Sequence, residues 1–346
     1  MILIWLVIVF ALPFFGMKPA FKEPDEDYMS VERTTSVKGF FALIIFLSHV
    51  RGYLIPDSGN AWEIFSSVLS HIGQLMVTMF FFYSGYGVFE SFKRKPDYRK
   101  GFFRKRILKT LVNFDLAVVL YLILDIALQK EYPVKYYFLC WTGWEGIGNS
   151  NWFIFIMLVL YVISFLSFCV TAGARELEKG QKAVLASVIA MTAVLFVLLR
   201  FSDRKDYWYN TVFCYSFGML FSYFKDSIDR ILSGKTAFPV ILVAVIILFL
   251  LFYFIENAAA YNVCACCFCL LVSMITMKVR ISNPVLIWLG RHAFSIYILQ
   301  RIPMIALQEA GVSHNMLFIL CSLVLTICIS AAFERLLHSI DKRLFK

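Results

Sequence analysis

Ser36-Val-Lys-Gly-Phe-Phe-Ala-Leu-Ile-Ile-Phe-Leu-Ser-His-Val-Arg51 is an apolar run with a lysine near one end and a histidine near the other. As a helix it reaches through most of a hydrocarbon layer of about 30 Å, where an ionisable side chain costs several kcal/mol unless paired or hydrated. Lys38 and His49 stand eleven positions apart. At about 100° and ~1.5 Å per residue they return to nearly one helix face, roughly 16 Å apart along the axis. One face therefore links a membrane surface to the interior. Imidazole suits that depth, because it can be buried neutral and can exchange a proton near neutral pH. From these residues alone two readings stay open: a hydrogen bond to a neighbouring helix, or acid–base chemistry. Arg51 reads as a residue snorkelling to the interface.

Runs of the same kind recur on both sides of this one. Of 346 residues, 60% are hydrophobic and 16% charged, a balance that repeated membrane spans explain and a water-soluble domain does not. Hydropathy and flanking charge predict spans near 1–16, 37–55, 66–90, 110–128, 152–172, 183–201, 209–224, 238–256, 258–277, 285–306 and 315–335. The fold class is all-α, a polytopic transmembrane bundle of about ten to eleven helices. Residues 1–346 read as one integral membrane domain, with 1–16 an extra N-terminal span and 37–335 the core bundle. The 1–16 run has no basic leading region and no small-residue cleavage site, so it reads as a retained span rather than a signal peptide.

A net charge of +10 invites a nucleic-acid reading, but the Lys and Arg sit in short loops and report topology instead. The densest cluster runs from Lys93 to Lys109 and marks a cytoplasmic loop. Alternation from there places Arg175, Lys179 and Lys182 inside, then Lys225, Arg230 and Lys235, then Lys278 and Arg280, then Lys342, Arg343 and Lys346. The N-terminus falls outside, the C-terminus in the cytoplasm, and the loop 129–150 with Trp141 and Trp144 outside, in a plasma (inner) membrane. Cys264, Cys266, Cys267 and Cys269 crowd one apolar stretch that has no nearby His or carboxylate. They read as small hydrophobes rather than a metal site, and no metal is expected.

Polar residues elsewhere in the spans each carry a bland and a functional reading. In Phe80-Phe-Phe-Tyr-Ser-Gly-Tyr-Gly87, Gly85 and Gly87 allow another backbone or a ligand to come close. Arg106 and Lys109, three apart, neighbour each other on one helix face and either grip phosphates or simply mark the inner surface. Asp115 lies six residues further, ~9 Å deeper, where it can balance that charge or orient His49. Glu145, Asn149, Asn151 and Trp152 can hydrogen-bond and stack on a polar acceptor, or form an interfacial loop. Tyr297 and Gln300 can hydrogen-bond within the bundle.

In their order these pieces resemble the integral membrane acyltransferases called acyltransferase family three, which O-acylate sugars and other extracytoplasmic acceptors. Lys38 and His49 look like that family's basic residue, ten intervening residues and histidine. Ser84-Gly85-Tyr86 resembles its Ser-Gly-Tyr or Ser-Gly-Phe element, and Arg106 with Lys109 its spaced basic pair. Trp152-Phe153 resembles its Trp-Phe helix opening, and Ala293-Phe294-Ser295-Ile296-Tyr297 its late Ser-Tyr-Ser-x-Tyr element. Lysine replaces the commoner arginine at 38 and 109, keeping charge but losing the bidentate fork. Gln300 stands where many members have histidine.

The resemblance implies an acyl-coenzyme A donor, acetyl-CoA above all, met on the cytoplasmic side by Lys38, Ser84, Tyr86, Arg106 and Lys109. It also implies a carbohydrate or glycolipid acceptor met outside, with Glu145, Asn151 and Trp152 as its contacts. His49 is then expected to be the general base or transient acyl carrier, oriented by Asp115, with Tyr86 and Ser84 as candidate oxyanion donors. The lipid bilayer is the other partner, and no nucleic acid is expected. Two rivals predict different observations. A proton-coupled exporter of a sugar or lipid-linked sugar would show flux without covalent change, though no internal repeat supports it. A non-catalytic scaffold or sensor would tolerate substitution of Lys38 and His49.

Overall fold

Within lipid every backbone N–H and C=O must find its partner inside the protein, so apolar runs of this length become helices. The computed structural model describes residues 2–20, 27–95, 97–170 and 177–345, and the protein is 80% helical. The first half of the chain forms α1 (Ile4–Ala11), β1 (Met17–Pro19), α2 (Val31–Val50), α3 (Asn60–Arg94), α4 (Tyr98–Phe102), α5 (Lys109–Ala127), α6 (Val134–Leu139) and α7 (Trp152–Val170). The second half forms α8 (Leu177–Arg200), α9 (Phe213–Tyr223), α10 (Lys225–Leu232), α11 (Ala237–Tyr253), α12 (Ala258–Lys278), β2 (Val279–Ile281), α13 (Pro284–Arg291), α14 (Ala293–Leu299), α15 (Arg301–Glu309) and α16 (Asn315–Leu344). Met1, Arg175 and Lys346, used above in reading the first span and the basic flanks, lie outside the described residues.

Among the described residues six helical runs are long and apolar enough to cross a membrane: α3, the continuous Tyr98–Ala127, α7, α8, α12 and α16. The pair α10 and α11, bent by 109°, would make a seventh. This makes a multi-pass membrane protein but does not reproduce the expected ten to eleven spans, and four stretches account for the difference. The 1–16 run forms α1 and one further turn to Phe14, shorter than the ~20 residues of a full helical span. α2 is fully helical, but Glu32, Arg33, Lys38 and His49 lower its apolarity. The 209–224 run shortens to α9. The 285–306 run breaks at His292 and Gln300 into α13, α14 and α15. Hydropathy counts apolar side chains and is blind to such breaks.

Two glycine-mediated crossings hold the interior together. A Cβ at Gly85 of α3 would sit 1.9 Å from the Tyr215 carbonyl oxygen of α9, and one at Gly218 of α9 would sit 2.1 Å from that of Phe82. α2 and α13 cross in the same way, with Gly39 against Leu286 and Gly290 against Thr35, each at 1.9 Å. Dispersion and close backbone approach drive helix association in lipid, where no hydrophobic gain is available, so small residues at the crossing set the geometry. Asn283, buried in the joint before α13, gives both ends of its amide. Its Nδ2 donates to the carbonyls of Leu12 and Phe15, both at 3.0 Å, and its Oδ1 accepts from the Val285 and Leu286 amides. α11 turns the other way: Val240, Val243 and Leu251 are more than half exposed, as a lipid-facing helix requires.

Contacts between loops sort them into two groups. β1 pairs antiparallel with β2, Met17 opposite Ile281. Tyr28 donates to Asp229 at 2.7 Å, and burial together with that carboxylate holds its phenol far above the ordinary range. Lys109 pairs with Asp341 at 2.6 Å. At the opposite end Lys130 meets Glu309 at 2.9 Å, and the Asn315 amide binds both backbone groups of Ile55. The first group, rich in Lys and Arg, is called the basic side below, and the second the far side.

Candidate active site

α2 carries Lys38, Ala42, Ile45 and His49 at helical spacing, so they share one face. That face forms one wall of a cavity of about 240 Å³, lined also by Val77 and Phe80 of α3, Phe153 of α7 and Tyr297 and Gln300 beyond α13. A second cavity of about 790 Å³ lies toward the basic side, lined by Ser84, Tyr86, Lys95, Arg106 and Lys225 among others. Lys38 and Phe80 line both. The two spaces therefore meet at the Lys38 side chain, a wide polar chamber leading to a narrow, mostly apolar one.

The wide chamber carries both signs of charge, with Lys38, Arg94, Lys95, Arg106 and Lys225 lining it beside Asp27, Glu90 and Asp226. Its Glu90 is already taken by Lys93 at 2.5 Å and Arg94 at 3.1 Å, and Lys225 is paired with Asp229. Lys38, Lys95 and Arg106 make no ion pair among the described residues, and Arg106 has Tyr98 and Tyr161 as electrostatic neighbours. Ser84 shares a 2.8 Å hydrogen bond with the Tyr161 hydroxyl. The two glycines of the Ser84–Gly87 stretch divide the work. Gly85 is consumed by the crossing with α9, whereas a side chain at Gly87 would meet nothing within 4 Å, and Gly87 lines the chamber.

Arg106 and Lys109 do not act as the neighbouring pair that α-helical spacing predicts. Residues 103–108 form a π-helical segment, whose wider turn changes the angle between positions three apart. Arg106 faces the chamber, and Lys109 reaches instead to Asp341 of α16.

At the other end of the narrow cavity stands His49. Its ring lies 6.0 Å from that of Tyr297, and Gln300 and Arg301 are its polar neighbours. His49 does not line the cavity itself; Tyr297 and Gln300 do. Gln300 Nε2 donates to the Tyr297 carbonyl at 3.0 Å, and its side chain lies beside His49. Four buried polar atoms here have no hydrogen-bond partner: His49 Nδ1, Tyr297 Oη, Gln300 Oε1 and Arg301 Nε. Buried polar atoms are ordinarily satisfied, so four together mark a place that a polar reactant would complete. Asp115, expected to orient His49, is instead within electrostatic reach of Cys140, and its Oδ1 is buried without a partner.

The residues expected to receive an acceptor serve the far-side loop. Glu145 accepts from Arg204 at 2.8 Å, and the guanidinium lies 4.1 Å over the Trp144 ring and 4.9 Å over that of Trp208. Asn151 Nδ2 donates to the Gly143 carbonyl at 2.7 Å. Trp152 packs edge-on to Tyr207 with ring centroids 5.5 Å apart. Its neighbour Phe153 is the one that reaches the cavity, 5.3 Å from the Tyr297 ring. Sequence reasoning passed over Arg301. The available signal was its spacing: Tyr297, Gln300 and Arg301 stand at i, i+3 and i+4, one face of a helical run.

Unpaired cations at a polar mouth, a slender apolar passage and an imidazole behind the Tyr297 and Gln300 side chains that line it suit a reactant with a polyanionic head, a thin arm and an electrophilic tip. A family model described as an acyltransferase domain matches residues 35–335. No curated protein and no solved structure matches the chain.

Proposed function

The chain belongs to acyltransferase family three, and on that premise we propose that it takes an acyl group, acetyl first, from acyl-coenzyme A and esterifies a hydroxyl of a carbohydrate or glycolipid across the membrane. The observation that carries this reading is the pair of cavities joined at Lys38. Coenzyme A has the matching anatomy. Its phosphates suit Lys38, Lys95 and Arg106, whose charge-assisted hydrogen bonds are the strong kind. Its pantetheine arm suits the narrow passage along Ala42 and Ile45, and its thioester then comes to Tyr297, Gln300 and His49. By the positive-inside rule the basic side is cytoplasmic, where acyl-CoA is met, and the far side faces the acceptor.

His49 serves as general base, taking the acceptor proton as oxygen attacks the thioester, or as the transient acyl carrier. The membrane is the plasma (inner) membrane, with the N-terminus outside and the C-terminus inside. The test is purified protein in nanodiscs with radiolabelled acetyl-CoA, with and without candidate glycans, comparing the native chain with His49→Ala. Label moved to glycan or held on protein, and lost in the variant, is expected. Full transfer by His49→Ala would remove His49 from the chemistry. A native chain that never binds the donor would return the exporter reading, tested next as flux of unmodified sugar.

A further inference from the structure

A partly buried arginine among transmembrane helices, with no acidic partner, calls for a reason. Arg301 makes no ion pair among the described residues, and its Nε is buried without a hydrogen-bond partner. Three titratable side chains sense its charge: His49, Tyr297 and Tyr121. Tyr121 is committed elsewhere, donating to the Ile298 carbonyl at 2.9 Å. The Tyr297 hydroxyl is buried and donates to nothing. Gln300 separates α14 from α15 but keeps right-handed helical dihedrals, so the hydroxyl and the guanidinium, four positions apart, are still carried to one side. That side is turned toward His49.

Resting on the acyltransferase reading above, we propose that Tyr297 and Arg301 form the oxyanion site of the reaction. The acceptor oxygen bonds to the thioester carbonyl carbon while its proton passes to His49. The carbonyl π electrons move onto oxygen, and that negative charge is received by the Tyr297 O–H and the Arg301 N–H groups. As the C–S bond breaks, the electron pair returns to re-form the carbonyl, and the leaving sulfur takes the proton from His49 as a free thiol. A fixed cation is useful here because the charge it answers exists only in transit, so the interaction strengthens between ground state and transition state. Ser84 and Tyr86, the sequence-level candidates for this role, line the wide chamber instead.

The test is steady-state kinetics in nanodiscs for Tyr297→Phe, Arg301→Gln and Arg301→Lys, with acyl-CoA affinity measured separately by equilibrium binding. Either Tyr297→Phe or Arg301→Gln is expected to lower kcat roughly 10²- to 10³-fold, as loss of one oxyanion donor does. KM and donor affinity should move less than about threefold, and the double variant should lose far less than the product of the singles. Arg301→Lys, which keeps the charge, should recover part of the rate. Tyr297→Phe removes one oxygen and carries the test should Arg301→Gln not fold. Unchanged kcat in both, or a loss confined to KM, overturns the proposal while the transfer lost in His49→Ala leaves the acyltransferase reading standing. A native chain without acyl-CoA turnover overturns both.

Discussion

On the basic side Lys38, Lys95 and Arg106 line a chamber and make no ion pair among the described residues, while on the far side Arg204 is bound by Glu145 and laid across two tryptophans. Both regions present charge at a membrane surface, and from the sequence both are candidate binding sites. The difference is who satisfies the charge. Arg204 has its hydrogen bonds and its aromatic faces supplied by the protein, so removing a partner harms the loop. The chamber cations have no such partner among the described residues, so on the proposed reading removing one is expected to harm donor binding and little else. An unpaired charge kept in a low-dielectric setting costs stability, and such a cost points to function more firmly than the charge alone does.

The largest effect expected from this contrast falls on the far side. Glu145→Gln leaves Arg204 half-satisfied where both side chains are less than one-fifth exposed. Breaking a buried pair from one side costs about 3–5 kcal/mol, and partial exposure reduces this to roughly 2–3 kcal/mol. Thermal unfolding in nanodiscs should show the loss, the double change with Arg204→Gln should relieve part of it, and acyl-CoA KM should be unaltered. A stable Glu145→Gln protein with a raised acceptor KM would break the contrast and restore Glu145 as an acceptor ligand.

The basic side should answer in the opposite currency. On the proposed reading Lys38→Ala and Arg106→Ala each remove a cation that would meet a donor phosphate, and hydrogen bonds to charged groups contribute about 1.5–3 kcal/mol. Acyl-CoA KM should rise about 10- to 100-fold with unfolding temperature unchanged or raised, and the gap from the native KM should narrow as salt increases. Equal KM in native and Arg106→Ala protein would place the donor phosphates elsewhere.

What was legible in the sequence followed the short-range regularities. The α2 face from Lys38 to His49 could be read because helical period and depth are both local. So could the seven apolar stretches that became full-length or bent helices. The breaks at His292 and Gln300 could not, because hydropathy reads the run as one apolar stretch and carries no record of them. Pairing was invisible for the same reason: Glu145 finds Arg204 and Lys109 finds Asp341 only after folding. Asp115 was given to His49 by depth along α5, which fixes height but not the direction in which the carboxylate points. Arg301 lay at the edge of an expected span, where arginine is ordinarily a topology marker.

Lys109 sets the finest division between the two regions, since it lies on the basic side yet behaves like the far-side pair. Its ammonium is bonded to Asp341 at 2.6 Å, with the two side chains 39% and 21% exposed. If charge on this side acts simply by number, Lys109→Ala should raise acyl-CoA KM as Arg106→Ala does. If satisfaction by the protein decides, the KM should stay within about twofold and stability should fall by less than ~1 kcal/mol, the usual value of an exposed pair. The second outcome is expected, because the π-helical turn at 103–108 has already rotated Lys109 away from the chamber and toward α16. Restoring an α-helical turn there by deleting one residue would bring Lys109 back toward Arg106, and only in that background should Lys109→Ala weaken the donor.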